Sequence, residues 1–359
     1  MKTPTSTSRL AARLRRADGQ LTRRWAKGRL KQLAARAGFL VTRMDDEARR
    51  YVRASYNAAV PLPEGAEQTL RTDNPELVAL QQAYDAMPGP ATSPTQWDAG
   101  FLRKNLSLAW FRGDNAYVWQ FRQARSAADA RTYLQRLDIA SRDRLGLLGT
   151  LEEDGLFGAW TFTFGALPPV SRDLLDSVNE INYLDAQMGL STVPGLRVVD
   201  IGAGYGRLAH RMSTALPNLA AYDCIDGVAV STFLCGYYVG FRALPATVRV
   251  IPAHRHDTLA GAYDLAVNIH SFAECSLETI RWWLERIAER EIEWLLIVPN
   301  TPTDLLSTEL DGSSRDFMPF VLQAGYTLVD SRWTHESDEL RELIGTNDRF
   351  FLFRRSAAQ

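Results

Sequence analysis

Residues 197–212 read RVVDIGAGYGRLAHRM. An apolar run of strand character meets Asp200, three glycines follow at alternate positions (Gly202, Gly204, Gly206), and a helix-like pattern begins. A strand feeding a glycine-rich turn and then a helix makes a site for a polar ligand at the carboxyl edge of a sheet, because the backbone can approach the ligand without a Cβ. The spacing discriminates between ligands. A dinucleotide loop is G-x-G-x-x-G, whereas D-x-G-x-G-x-G stands here, and no G-K-[ST] follows to make a phosphate-binding P-loop.

The surroundings suit such a turn. From about residue 190, short β-rich runs alternate with helical ones: LRVVDI, LAAYDCID, TVRVIP, YDLAVNI and EWLLIVP, then YTLVDSRW and DRFFLFRR. Alternation of this kind predicts an α/β fold with a mostly parallel sheet. The last two runs have no convincing helix between them and are expected to form an antiparallel pair at one edge. Just before the first strand, VSRDLLDSVNEINYLDAQMG predicts a helix. Ser171 caps it, Asp173 sits in the first turn, Leu174, Val178, Ile181 and Leu184 form its stripe, and Gly189 stops it.

Upstream the texture differs. Residues 61–100 are punctuated by Pro and Gly, with a helix start at DNPEL, where Asn74 can cap and Pro75 takes the first helical position. From Trp97 to about Leu151 the pattern is mostly helical. WFRGDNAYVWQFR (residues 110–122) reads as helical core with snorkelling arginines, in preference to a direct substrate contact. The organisation expected is a basic amphipathic tail over 1–60, a helical region over 61–170 that lies over the acceptor, and an α/β domain over 171–359.

Composition narrows the class. The 359 residues are 46% apolar, with net charge −1, which describes a soluble globular chain with ample core. Of the 41 Lys and Arg, 12 fall within residues 1–43, beside the single acid Asp18. Leu10, Leu14, Ala17, Leu21 and Trp25 recur there at helical spacing. Such a tail suits either packing on its own protein or peripheral contact with an anionic inner membrane face. It lacks the apolar region of a secretory signal. Three cysteines without a CxxC pair suit a reducing cytoplasm and leave no zinc ligand set, so no metal is expected.

D-x-G-x-G-x-G resembles motif I of the class I S-adenosylmethionine-dependent methyltransferases, in which the loop wraps the methionine and ribose parts of the cofactor. The resemblance implies an acid at the end of the second strand for the ribose hydroxyls. YDCIDG supplies Asp226, twenty residues past Gly206, in preference to Asp223 inside the strand. Asp200, Gly202, Gly204, Gly206, Asp226 and Asn268 are then the expected cofactor contacts. His254 and His256 fall where the adenine is usually flanked.

Acceptor chemistry in such folds is done above the fourth strand, here YDLAVNIHSFAECS. The [DN]-P-P-[YFW] sequence of nucleobase amino-methyltransferases is absent, so no DNA substrate is expected. Methyl transfer to an alcohol needs the hydroxyl aligned and its proton removed, and a neutral imidazole can take that proton. His270 is the candidate base, Glu274 its orienting partner or a second acceptor-binding group, and Ser271 a substrate contact. With the SVNEINYLD helix, these stretches are similar to a bacterial sugar O-methyltransferase family over roughly residues 100–355. That likeness implies a Rossmann-like, seven-stranded methyltransferase domain whose last strand is antiparallel, preceded by a helical extension. The acceptor expected is a sugar-containing small molecule such as a nucleotide-sugar, or a lipid-linked glycan or polysaccharide precursor. Cys275 stands where such turns carry a methionine.

Overall fold

The computed structural model describes residues 56–92, 95–117, 125–259, 261–300 and 303–356. All of them fall in the compact unit that runs from Arg50 to Gln359. The basic tail before residue 56, with the membrane contact expected of it, lies outside the described residues.

The β-rich runs pair into one sheet. Its strands are β1 (Leu196–Ile201), β2 (Leu219–Asp226), β3 (Val248–Pro252), β4 (Leu265–Ile269), β5 (Trp294–Val298), β6 (Tyr326–Trp333) and β7 (Arg349–Arg355). They lie side by side in the order β3-β2-β1-β4-β5-β7-β6. The first five are mutually parallel, and β7 runs antiparallel to both β5 and β6. This is the Rossmann-like, mostly parallel architecture expected. Strand order reverses between β1 and β4, and a crevice opens at such a switch point, outside the carboxyl ends of the strands.

The helices follow the chain as α1 (Ala66–Thr69), α2 (Pro75–Asp85), α3 (Ala99–Asn105), α4 (Arg125–Ala140), α5 (Leu147–Thr150), α6 (Arg172–Met188), α7 (Arg207–Ala215), α8 (Ala229–Phe241), α9 (Leu277–Glu289), α10 (Met318–Gln323) and α11 (Asp338–Ile344). Their ends obey the capping chemistry expected. Ser171 accepts from Leu174 N, Gly189 closes α6 at φ 66°, and Asn74 accepts from Glu76 N beside Pro75. Side chains alternate across the sheet, so adjacent residues feed different cores. Leu296 and Val298 pack with α6 and α7 on one face, while Leu295 and Ile297 pack with α9 and α10 on the other. None of the described helices is long and apolar enough to cross a membrane.

Two expectations need correction. A helix, α11, does lie between β6 and β7, capped by Ser337 and ended by Gly345 at φ 80°. Seven residues are too few for a periodic signal, and only the capping marks it. Residues 106–117 are turns rather than helix. Gly113, Asp114 and Asn115 favour turns, and the Asn115 carboxamide accepts from Tyr117 N at 2.8 Å, a local bond that competes with a helical one.

Nor does Arg112 snorkel. Its side chain is wholly buried, 2.7 Å from Glu153 and 2.9 Å from Asp173. Arg211 of α7 joins Glu153 at 3.0 Å, and the Tyr205 hydroxyl donates to Asp173 at 2.6 Å. Burial alone would lift the Asp173 carboxyl, but the Arg112 and Arg211 guanidiniums overcome it and hold it far below the usual range. The cluster binds the segment before residue 170 to α6, to α7 and to the glycine turn itself.

Removing one member of such a group strands the buried charge of its partners. Arg112→Met is therefore expected to destabilise the fold by about 3–5 kcal/mol. Urea unfolding near neutral pH checks this, and a loss below about 1 kcal/mol would show the cluster to be dispensable.

Candidate active site

A cleft of about 630 Å³ opens over the carboxyl ends of β1, β2 and β4. Its floor is the glycine turn. After Ile201 the chain passes through Gly202, Gly204 and Gly206 at φ 80°, 57° and 85°, a region that penalises any residue with a Cβ. Gly202 N and Ala203 N both donate to Ile225 O of the neighbouring strand, at 2.8 and 3.2 Å. At Gly202 a Cβ would also overlap the Ser271 side chain, so the turn and the strand-four segment interlock at that point.

Asp226, at the end of β2, holds this turn in place. One carboxylate oxygen accepts from Gly204 N at 2.9 Å and the other from Val228 N at 2.8 Å. Each oxygen keeps a second lone pair for a ligand donor. Asp226 lines the cleft. Asp223 does not: it is buried under the sheet edge, bonded to Arg249 at 2.7 Å and to the Tyr263 hydroxyl. Asp200 sits below the turn and accepts from the Tyr222 hydroxyl at 2.8 Å. Burial pushes both Asp200 and Asp226 up to about 7, against the bonds they accept.

The strand-four segment forms the facing wall. Asn268 is buried and fully engaged: its Nδ2 donates to Ile201 O and Ser271 Oγ, at 2.7 and 2.8 Å, and its Oδ1 accepts from Phe272 N. It therefore joins β4 to β1 behind the cleft wall, where a ligand contact had been expected. Gly206 is likewise behind the wall, with Cys235 filling the space a Cβ would need. Ser271 reaches the cleft but spends its hydroxyl on Asn268 and on packing against Gly202.

His270 is held differently. Its backbone is left-handed, at φ 66° and ψ −31°, and its N–H donates to Val298 O at 2.6 Å. A non-glycine residue there costs of order 1–3 kcal/mol, and such strain gathers at functional positions. Its Nε2 is buried without a hydrogen-bond partner among the described residues. The carboxylate nearest to it is Asp348, at 3.8 Å. Glu274, expected to orient this imidazole, does another job. It accepts from Trp97 Nε1 at 2.7 Å and Asn300 Nδ2 at 3.1 Å, while its backbone carbonyl accepts from Thr95 N and Gln96 N. Glu274 thus fastens the segment leading into α3 across the mouth of the cleft.

Several lining residues come from outside the motifs. Trp97 and Tyr117 lie 5.1 Å apart between ring centroids, and the Tyr117 ring rests on Gly204. From the C-terminal segment come Thr346 and Asp348, which enter because β7 is antiparallel: its beginning lies at the same edge as the ends of β1 and β4. His335 also lines the cleft, with Nδ1 2.6 Å from Asp138. Only strand pairing brings these residues in, although the turn-forming GTND sequence (residues 345–348) is a faint signal. His254 and His256 lie away from the lining: His254 packs edge-on to Tyr84, and His256 packs on Trp282 with Nδ1 facing Ala253 O.

Two measurements follow from this geometry. Gly202→Ala is expected to lower stability by about 2 kcal/mol or more through backbone strain and overlap. Adding Ser271→Gly should recover the overlap part alone, so a double variant no better than the single one would remove the proposed interlock. Asp200 retains its proton in the fold up to about 7, whereas the unfolded chain loses it near the ordinary carboxylate value of 3.8. Its contribution to stability therefore falls as pH rises through that window. Asp200→Asn, which still offers Tyr222 an acceptor, should raise the melting temperature relative to the parent at pH 8 and leave it unchanged at pH 4. An equal effect at both would mean the carboxyl is not desolvated.

No protein family matches this chain, and no curated protein sequence does. Among solved structures it is similar to the [4+2]-cyclase SpnF, at 13% identity over 64% of this chain and 96% of that one, with a TM-score of 0.39. It is similar to magnesium protoporphyrin IX methyltransferase (ChlM) from Synechocystis PCC 6803 with bound SAM, at 14% identity over 64% and 97%, TM-score 0.39. The mitomycin 7-O-methyltransferase MmcR follows, at 18% identity over 51% and 57%, TM-score 0.36.

Proposed function

We propose that this protein is an S-adenosylmethionine-dependent O-methyltransferase that methylates a hydroxyl of a sugar, either in a small molecule or in a lipid-linked glycan, with His270 as general base. One observation carries the reading: His270, whose Nε2 has no hydrogen-bond partner among the described residues, lines the same cleft as the glycine turn and Asp226.

The residues fit the cofactor's chemistry. Asp226 offers two oxygens whose backbone partners leave lone pairs for the paired ribose hydroxyls, and the turn presents backbone without side chains to the methionine portion. Two acids of the cleft, Asp226 and Glu274, suit the cationic sulfonium. When bound, the cofactor supplies an electrophilic methyl group.

The chain supplies the rest. Nε2 of His270 takes the hydroxyl proton as the oxygen gains the methyl group, and Asp348 at 3.8 Å steadies the imidazolium that results. Trp97 and Tyr117 roof the turn and limit water around the reacting groups. The Glu274 clasp to Trp97 and Asn300 keeps that roof in place.

Release of S-adenosylhomocysteine from S-adenosylmethionine, measured against a panel of sugar acceptors and glycolipid fractions, tests the reading. His270→Ala should lower kcat by about 10²- to 10⁴-fold while cofactor binding persists. Asp226→Ala should weaken cofactor binding by at least about tenfold, the loss of a charge-assisted pair of hydrogen bonds. Unchanged binding in Asp226→Ala would overturn the cofactor site, and full turnover in His270→Ala would overturn the base.

A further inference from the structure

The charges around the cleft narrow the acceptor. Two guanidiniums line it among the described residues, and both face a carboxylate of α6. Arg207 is bidentate to Glu180, at 2.8 and 2.9 Å, and Arg172 lies 3.5 Å from Asp176. Four further acids line the cleft: Asp200, Asp226, Glu274 and Asp348. No Arg or Lys among the described residues stands within ion-pair distance of any of these four, and only His270 approaches one.

A phosphate or diphosphate is recognised by the opposite arrangement, with guanidinium forks or ammonium groups free to meet its oxygens. Placed here it would meet the Asp348 carboxylate beside His270 and find both lining guanidiniums already paired. Specificity against a ligand class commonly comes from repulsion of this kind.

What the acceptor side does offer is neutral. Thr346 is 5% exposed, and its hydroxyl has no partner among the described residues. Asn300 and Gln96 bring carboxamides, and the tilted pair Trp97 and Phe101, with centroids 5.6 Å apart, brings aromatic surface. Aromatic faces and uncharged hydrogen-bonding groups suit the alternating C–H and O–H surfaces of a sugar ring.

We infer that the acceptor is an uncharged or amine-bearing glycoside, and that phosphorylated sugars and nucleotide-sugars are rejected by Asp348 beside His270 and by the pairing of both lining guanidiniums. This rests on the sugar reading above. In reaction order, methylation then follows the glycosyl transfer that removes the nucleotide diphosphate, because the activated precursor is the form the cleft repels.

The test uses the full chain and matched sets of one sugar offered as methyl glycoside, sugar 1-phosphate and nucleotide-sugar, with S-adenosylhomocysteine release as readout. Within any set that is turned over, the uncharged member should have kcat/KM at least about tenfold above the others, the scale expected of like-charge rejection. Asp348→Asn should narrow that ratio. A preference for the nucleotide-sugar would overturn the inference and leave the methyltransferase reading standing. Failure of every sugar with cofactor bound normally would count against the sugar reading instead.

A second arm decides the inference without an acceptor. Pyrophosphate is titrated into the chain saturated with S-adenosylhomocysteine, and no saturable cleft binding is expected up to about 1 mM, the limit of weak recognition. Saturable binding that Asn300→Asp weakens would place the anion in the cleft and overturn the inference. Binding indifferent to that substitution lies outside the cleft, as the inference expects.

Discussion

The buried charge of Arg112 is the constraint on which the rest of the structure depends. A guanidinium removed from water is tolerable only where carboxylates meet it with good geometry, and Glu153 and Asp173 do so at 2.7 and 2.9 Å. Those carboxylates in turn engage Arg211 of α7 and the Tyr205 hydroxyl in the glycine turn. One cluster thereby holds the irregular segment around residue 112, the first turn of α6 and the ligand-binding turn in a single arrangement. Tyr117, five residues further on, rests its ring on Gly204 of that turn, with its hydroxyl 2.9 Å from Ser231.

A second constraint acts at the sheet edge. Parallel strands deliver their ends to one side, and the antiparallel β7 delivers its beginning to that same side. Acids from β1, β2, the strand-four turn and the segment before β7 therefore converge. Burial raises the protonation range of Asp200 and Asp226 to about 7, with Glu180 adding to the rise at Asp200, and Asp200 and Glu274 to that at Asp226. Left-handed backbone at His270 adds local strain, held by its bond to Val298 and by the interlock of Ser271 with Gly202.

Much of this was legible from local chemistry. Residues 197–212 announced a strand, a turn and a helix, the caps at Asn74 and Ser171 marked their helices, and alternating runs announced the sheet. Local reading failed where a side chain's partner lies far away. Arg112 read as a snorkelling arginine of a helical core because its acids are more than forty positions distant in sequence. Asn268 and Glu274 read as ligand groups because the partners that turn them to structural work, Ile201 for one and Trp97 and Asn300 for the other, stand on other parts of the chain. The seven residues of α11 were too few to show a period.

The sequence by itself determined the fold class, the glycine turn and the acid at the end of β2, since each depends on backbone conformation and short-range spacing. Tertiary structure alone decided which polar groups share the cleft. It set Asp348 beside His270, put Glu274 to work as a clasp, and turned Asp223 away from the site. The reason is physical: hydrogen bonds and ion pairs are satisfied between elements that strand pairing brings together, and that pairing is invisible in a run of adjacent residues.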